Sequence, residues 1–359
     1  MEVNLLHVVI ARTWGGGEQY VYDNCKEMKK QGKECFVVVD ESNEYFVERY
    51  SEVAKVYTAN LYVLGGLLAL RKIKKIIESL EISIINCHSG HALLTCLLLK
   101  KLTKVHVVMF KHNAVPLKKD AYHLWQLKNV DAYICVSKLV YDMQIENVPK
   151  RFMSKFHLVY NGIDVGKFNN NRERLNNETE VFKIGYAGRL AHNKGIDVLI
   201  KAFARYVKNH PNSILKIAGS DENGYKSKLQ KLTTNLNVAN SVVFCGHVKD
   251  MECFYRSIDI FVLPSLVRES FGLVICEAIY CGIPVITTDS GAQREILFND
   301  DYGCIVKKGD VEELERALED FFCKRRVIKQ DGATFIYNKF SAEKCVKKLI
   351  EIYNMIITC

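Results

Sequence analysis

Two carboxylates and two cations are the residues of this chain whose types and spacing point most directly to chemistry. Glu269 and Glu277 stand eight positions apart in RESFGLVICEAIYCGIPVITTDSGAQREI, on either side of the turn Ser270-Phe271-Gly272-Leu273. The apolar run ICEAIYC, closed by Gly282, reads as a short helix, and Pro284-Val285-Ile286-Thr287 as a buried strand. Glu269 then precedes a helix N-terminus and Glu277 lies about one turn inside it. Such an N-terminus offers unpaired amides and partial positive charge, which suits a phosphate. Acids beside an anion have a use if they accept hydrogen bonds from hydroxyl groups on the same ligand, as on a nucleotide sugar. Solvated helix carboxylates would share the spacing.

The cations are Arg189 and Lys194, in the loop Gly188-Arg189-Leu190-Ala191-His192-Asn193-Lys194-Gly195 that follows a strand over 181–187. Both can point past that strand's C-terminal end, and two cations aimed at one place suit a diphosphate: Arg through its planar fork, Lys as a movable point charge. Solvated loop cations are the other reading. Near the start, a strand over 3–10 runs into Arg12-Thr13-Trp14-Gly15-Gly16-Gly17 and then a helical pattern. Adjacent glycines let a backbone approach a bulky ligand, although a tight turn explains them equally well, and the dinucleotide fingerprint G-x-G-x-x-G is missing. His88 and His112 each fall just past a strand end.

Elements able to position these residues alternate along the chain. Strand patterns fall at 34–40, 83–87, 105–110, 131–137 and 156–160, and again at 181–187, 213–218, 242–245, 261–264 and 284–287. Helical patterns between them include 66–80, whose apolar face is opposed by Arg71, Lys72, Lys74 and Lys75. That face packs on a sheet or lies on an anionic bilayer, and sheet packing is the commoner fate. Alternation of this kind makes a parallel sheet with ligands at its carboxyl edge. The polar stretch NNNRERLNNETE over 169–180 reads as a linker between two such halves. The expected architecture is α/β, with two Rossmann-like parallel-sheet domains, 1–168 and 181–340, and a terminal helix over 341–359 that Ser341 caps.

At 359 residues, each half is long enough to bury its own core. The 13 cysteines form no C-x-x-C, so neither a disulfide framework nor a zinc site is indicated and a reducing cytoplasm is expected. No signal peptide and no run of about 20 apolar residues is found. Residues 1–175 carry +7 of the +9 formal charge, which makes the first half the likelier face for an anionic partner. Nucleic acid is not expected, since charge alone supports it and no binding motif does.

The string from Glu269 to Glu295, with its E-x7-E spacing, GIPVIT and GAQREI, and the string GRLAHNKGIDVLIKAF both resemble the retaining glycosyltransferases of the GT-B fold, specifically glycosyltransferase family four. The resemblance is strong over 182–306 and at the terminal helix, moderate at the glycine run and at VYNGIDVGKF, and faint over 40–80. It implies two domains facing across a cleft, with the last helix crossing back to the first domain. Arg189 and Lys194 would hold a leaving nucleoside diphosphate, joined by Gly188 and by the backbone at Ser270, Phe271, Gly272, Leu273 and Val274. Glu269 would face the donor sugar and Glu277 the ribose, while Gly16, Gly17 and His112 would approach the donor from the other domain. It further implies a sugar passed from a nucleotide-diphosphate donor, expected to be a UDP-sugar, to a saccharide or lipid-linked saccharide in lipopolysaccharide, capsule or O-antigen synthesis. No metal or other cofactor is expected, D-x-D being absent, and the basic first domain would rest on the inner membrane face. A nucleotide-sugar epimerase, or a non-catalytic subunit binding sugar nucleotides or glycans, would share the architecture.

Overall fold

Strands that read as near-continuous apolar runs are those buried on both faces of a parallel sheet, and two such sheets form here. The computed structural model describes residues 3–168, 181–221, 224–297, 301–324, 329 and 331–358. It divides into two compact units, Met1–Asp164 with Phe340–Cys359, and Val165–Lys339. The stretch 169–180, read above as a linker, lies outside the described residues.

The first unit runs β1 (Leu5–Val8), α1 (Gly16–Lys30), β2 (Cys35–Asp40), α2 (Glu44–Ser51), β3 (Lys55–Ala59) and a 3-10 segment (Val63–Ala69) leading into α3 (Leu70–Ser79). It continues with β4 (Ile84–Cys87), α4 (Leu93–Thr103), β5 (His106–Lys111), α5 (Ala121–Asn129), β6 (Ala132–Cys135), α6 (Lys138–Ile145) and β7 (Phe156–Leu158). Its strands are all parallel in the order β3-β2-β1-β4-β5-β6-β7, reversing between β1 and β4. The second unit runs β8 (Phe182–Ala187), α7 (Ile196–Tyr206), β9 (Ser213–Ala218), α8 (Tyr225–Asn235), β10 (Val242–Gly246), α9 (Met251–Arg256) and β11 (Ile260–Leu263). There follow α10 (Leu273–Tyr280), β12 (Val285–Thr288), α11 (Gln293–Ile296), β13 (Gly303–Val306), α12 (Val311–Lys324) and α13 (Gly332–Phe340). The second sheet is parallel in the order β10-β9-β8-β11-β12-β13, reversing between β8 and β11. In open sheets of this kind ligands gather beyond the strand carboxyl ends at the reversal.

Alternate residues of the first sheet feed two cores. Leu6, Val8, Phe36 and Val38 pack with Ile73, Ile76 and Ile77 of α3 on one face. The apolar side of α3 is therefore spent on the sheet, while Arg71, Lys72 and Lys75 are exposed. Leu5, Val37 and Val39 face α1 and the last helix, α14 (Ala342–Thr358), where Val346, Leu349 and Tyr353 are buried and Ile350 and Ile356 half-buried. The last helix thus returns to the first sheet, as the resemblance implies. Its entry is tight: Ile163 N donates to Phe340 O and Ala342 N to Ile163 O, both at 2.8 Å, and Ser341 Oγ accepts from Lys344 N at 3.3 Å. A Cβ at Gly162 would lie 2.4 Å from the Ser341 carbonyl oxygen. Gly162→Ala is therefore expected to lower the unfolding free energy by about 1–3 kcal/mol, read as a lower denaturant midpoint.

Two residues of the basic first domain, Lys155 and Phe156, serve its packing. Lys155 Nζ donates to the carbonyls of Leu127 and Val130 at 2.9 and 2.6 Å, closing the C-terminal end of α5. Phe156 is buried and stacked on Tyr133. No helix among the described residues is long and apolar enough to cross a membrane.

Candidate functional site

In the second unit the loops after β8 and β11, neighbours at the reversal, are joined through glycine and backbone. Gly195 has φ +68°, and a Cβ there would sit 2.0 Å from the Pro264 carbonyl oxygen. Leu266 N and Val267 N both donate to Asn193 O, at 3.0 and 3.3 Å. Lys194 is thereby carried to Glu269: Nζ and Oε1 are 2.6 Å apart, and the two side chains keep only 17% and 14% of their exposure. Ser265 Oγ donates to the same carboxylate oxygen at 2.5 Å. The loop after β12 fixes the Glu269 backbone, with Ala292 N donating to Glu269 O at 2.9 Å and a Cβ at Gly291 falling 2.2 Å from that oxygen. Gly291→Ala is expected to push Glu269 out of register with Lys194 at a cost of about 1–3 kcal/mol, measurable as a lower melting temperature.

Behind this pair lies a buried polar set that sequence reasoning did not single out. Thr288 Oγ1 donates to Ser265 O at 2.6 Å, and Ser290 Oγ accepts from Gln293 Nε2 at 2.7 Å and lies 3.1 Å from Thr288 Oγ1. Ser265, Thr288, Ser290 and Gln293 are all buried. The signal that could have found them is a run of hydroxyl residues, PS just after β11 and TTDS across the end of β12, at the carboxyl ends of otherwise apolar strands.

Four residues on, α10 begins at Leu273 with Gly272 (φ +113°) as its N-cap and no side chain capping it. Its first turn holds Leu273 and Val274, and Glu277 is its fifth residue, accepting from Tyr255 Oη at 2.8 Å. Burial and the Glu277 charge push the Tyr255 phenol well up, so it remains a donor. Phe271 is buried and Ser270 half-buried ahead of the helix. Arg189 is exposed, and its carbonyl accepts from Tyr186 Oη at 3.0 Å. Gly188 (φ +156°) lies so near Gly219 that a Cβ on the latter would meet the Gly188 oxygen at 1.8 Å. Together the unit presents a cation, a carboxylate and an uncapped helix start on neighbouring loops, a set able to bind a phosphate that carries hydroxyl groups.

The first unit brings Gly17 and His112 together: a Cβ at Gly17 would lie 3.7 Å from His112 Cγ. Gly16 and Gly17 are the first residues of α1, so the helix starts inside the glycine run. There Gly15 N donates to the chain's own Glu18 Oε2 at 2.9 Å. His88 Nδ1 is 2.9 Å from His112 Nε2. Burial lowers His112 to about 4 and, with the charges of His7 and His112, pulls His88 well below the usual imidazole range. Both are then neutral at pH 7, so His112 is not an imidazolium acid there. Unfolded imidazoles bind a proton near pH 6.5, whereas folded His112 does so only near 4. Stability should therefore hold above pH 6.5 and fall as pH drops toward 4, which melting curves taken across that range will show. Among the described residues, His7, Cys25 and Cys35 form the one group with metal-ligand chemistry, their atoms within 4.8 Å of one another and all buried.

The family model for glycosyl transferases group 1 matches residues 167–333, and that for Glycosyltransferase Family 4 matches residues 14–167. The chain belongs to glycosyltransferase family four. Among similar family members is the capsular polysaccharide biosynthesis glycosyltransferase CapM of Staphylococcus aureus, 35% identical over 206 residues. That match spans 54% of this chain and 53% of CapM, about half of each. A glycosyltransferase from Rickettsia africae ESF-5 shares the fold at TM-score 0.85, with 21% identity and 99% of both chains covered. Anabaena Alr3699/HepE, solved with UDP and glucose, aligns at TM-score 0.81 with 19% identity, over 98% of this chain and 99% of that one.

Proposed function

We propose that this family-four chain is an active, retaining, metal-independent glycosyltransferase that moves a sugar from a UDP-sugar to a hydroxyl of a lipid-linked saccharide during assembly of a bacterial surface polysaccharide. The observation that carries the reading is Lys194 held 2.6 Å from Glu269 at the β8/β11 reversal, beside the uncapped start of α10. A diphosphate entering there competes with Glu269 for Lys194. It draws the ammonium onto its oxygens, and the released carboxylate turns to the donor sugar's hydroxyls. Arg189 and the amides of Gly272, Leu273 and Val274 share the phosphate charge, and Glu277 takes the ribose. His112, with Gly16 and Gly17, contributes as a neutral polar contact.

In the transfer the bond between sugar C1 and the diphosphate oxygen breaks, and the acceptor oxygen bonds C1 on the same face. The acceptor proton passes to the departing phosphate oxygen. Lys194, Arg189 and the helix start stabilise the charge that develops on the leaving group, where electrostatic catalysis has most to give. The UDP assignment takes support from HepE and the surface polysaccharide from the name of CapM. The test is to incubate the protein with UDP-glucose and follow the first sugar product by proton NMR. An α-anomer is expected, and a β-anomer would remove the retaining mechanism.

The lipid-linked acceptor is brought by the first unit, whose exposed Leu64 and Leu68, each at 68%, lie just ahead of exposed Arg71 and Lys72. Binding to anionic vesicles should then weaken with salt. Equal binding to neutral vesicles would count against it.

A further inference from the structure

The first unit holds a line of three imidazoles of which the reading above uses only the outer end. His7 on β1, His88 after β4 and His112 after β5 come from three strands that are neighbours in the sheet. His7 Nδ1 is 2.9 Å from His88 Nε2, and His88 Nδ1 is 2.9 Å from His112 Nε2. The rings follow one another side by side, with 5.2 Å between centroids at each step and interplanar angles of 12° and 25°. Phe110 stacks on the His112 ring and lies tilted against His88, and Tyr20 of α1 meets His112 edge-on. The outer nitrogens of the line, His7 Nε2 and His112 Nδ1, are buried without a hydrogen-bond partner. At the inner end lie Cys25 and Cys35, and Cys35 Sγ donates to Met28 Sδ at 3.4 Å.

This connectivity constrains the protons. A neutral imidazole carries one N–H and one lone pair. Each link joins the Nδ1 of one ring to the Nε2 of the next, so a donor at one link forces a donor at the other. All three rings must therefore be Nδ1–H, or all three Nε2–H. No single ring can change tautomer without breaking a link, and burial keeps His88 and His112 neutral.

We propose that His88 and His7 are positioning residues that fix the plane and the single tautomer of the His112 ring where it packs on Gly17. The inference rests on the proposed role of His112 at the donor, so its test needs a readout independent of turnover. Long-range proton–nitrogen NMR of the imidazoles in the full-length protein at pH 7 is expected to show one and the same tautomer in all three rings. Different tautomers in two rings, or a His112 averaging between both, would overturn the proposal. His7→Phe removes the inner link without touching His112 and should release His112 to averaging. Unchanged His112 nitrogen shifts in that folded variant would leave His7 a purely structural residue and end the proposal.

Turnover of UDP-glucose supplies the second arm. His88→Leu should lower kcat about 10- to 100-fold with donor KM within about two-fold, as loss of an orienting partner does. His88→Gln should recover part of that, since its amide both donates and accepts. His88→Leu combined with His112→Ala should cost no more than His112→Ala alone, whereas multiplying effects would mean that the two act separately. A His112→Ala variant with full turnover would instead remove His112 from the donor, with the imidazole line still decided by NMR.

Discussion

Lys194→Ala is expected to lower kcat/KM for the donor by about 2–5 kcal/mol, roughly 30- to 5,000-fold, if its ammonium pairs a desolvated phosphate. The loss should appear in kcat as well as in KM, because charge on the departing diphosphate is greatest as the glycosidic bond breaks. The same change leaves the Glu269 carboxylate with Ser265 but without its cation. An exposed pair is worth little and breaking a buried one costs several kcal/mol. This pair keeps 17% and 14% exposure, so about 1–3 kcal/mol of stability should go with it. Steady-state kinetics and melting curves on one preparation separate the two effects. By contrast Lys72→Ala, on the exposed side of α3, should leave both unchanged.

Glu269→Gln is expected to split binding from catalysis. The amide keeps the shape and still accepts from Ser265, but it neither neutralises Lys194 nor holds a charge toward the sugar. With Lys194 unclaimed, UDP should bind at least as tightly as to the unmodified protein. Turnover should nevertheless fall about 100- to 1,000-fold, the scale set by removing one group aimed at a developing charge. Isothermal titration with UDP beside initial rates checks this. Weaker UDP binding with normal kcat would reverse the roles assigned to the two residues.

Much of this arrangement was legible in the residue types. Buried parallel strands announce themselves as apolar runs, and the E-x7-E and R-x4-K spacings fell on adjacent strand ends because the βα rhythm fixes where such loops emerge. The pairing of Lys194 with Glu269 was not legible. It depends on β8 lying beside β11 in the strand order, with the partners 75 positions apart. Nor were Ser265, Thr288 and Gln293, whose hydroxyl and amide groups become a network only when the chain after β11 meets that at the end of β12. The edge strand β3, KVYTA, is half-exposed and so lacks an apolar run, and α9, of six residues, is too short to show a period. His7 gave no signal inside an apolar strand. Its partner arrives only through the pairing of β1 with β4.

The central claim, that the loops after β8 and β11 hold a nucleoside diphosphate without a metal, is tested most directly by a thermal-shift panel of UDP, GDP, ADP and TDP in the presence of chelator. It should be run on the unmodified protein and on Lys194→Ala. A ligand that binds only the folded state at about 100 times its dissociation constant adds about 2.7 kcal/mol. The account predicts stabilisation by UDP that chelator does not alter and that Lys194→Ala abolishes. A UDP shift that survives Lys194→Ala, or that vanishes with chelator, would contradict it.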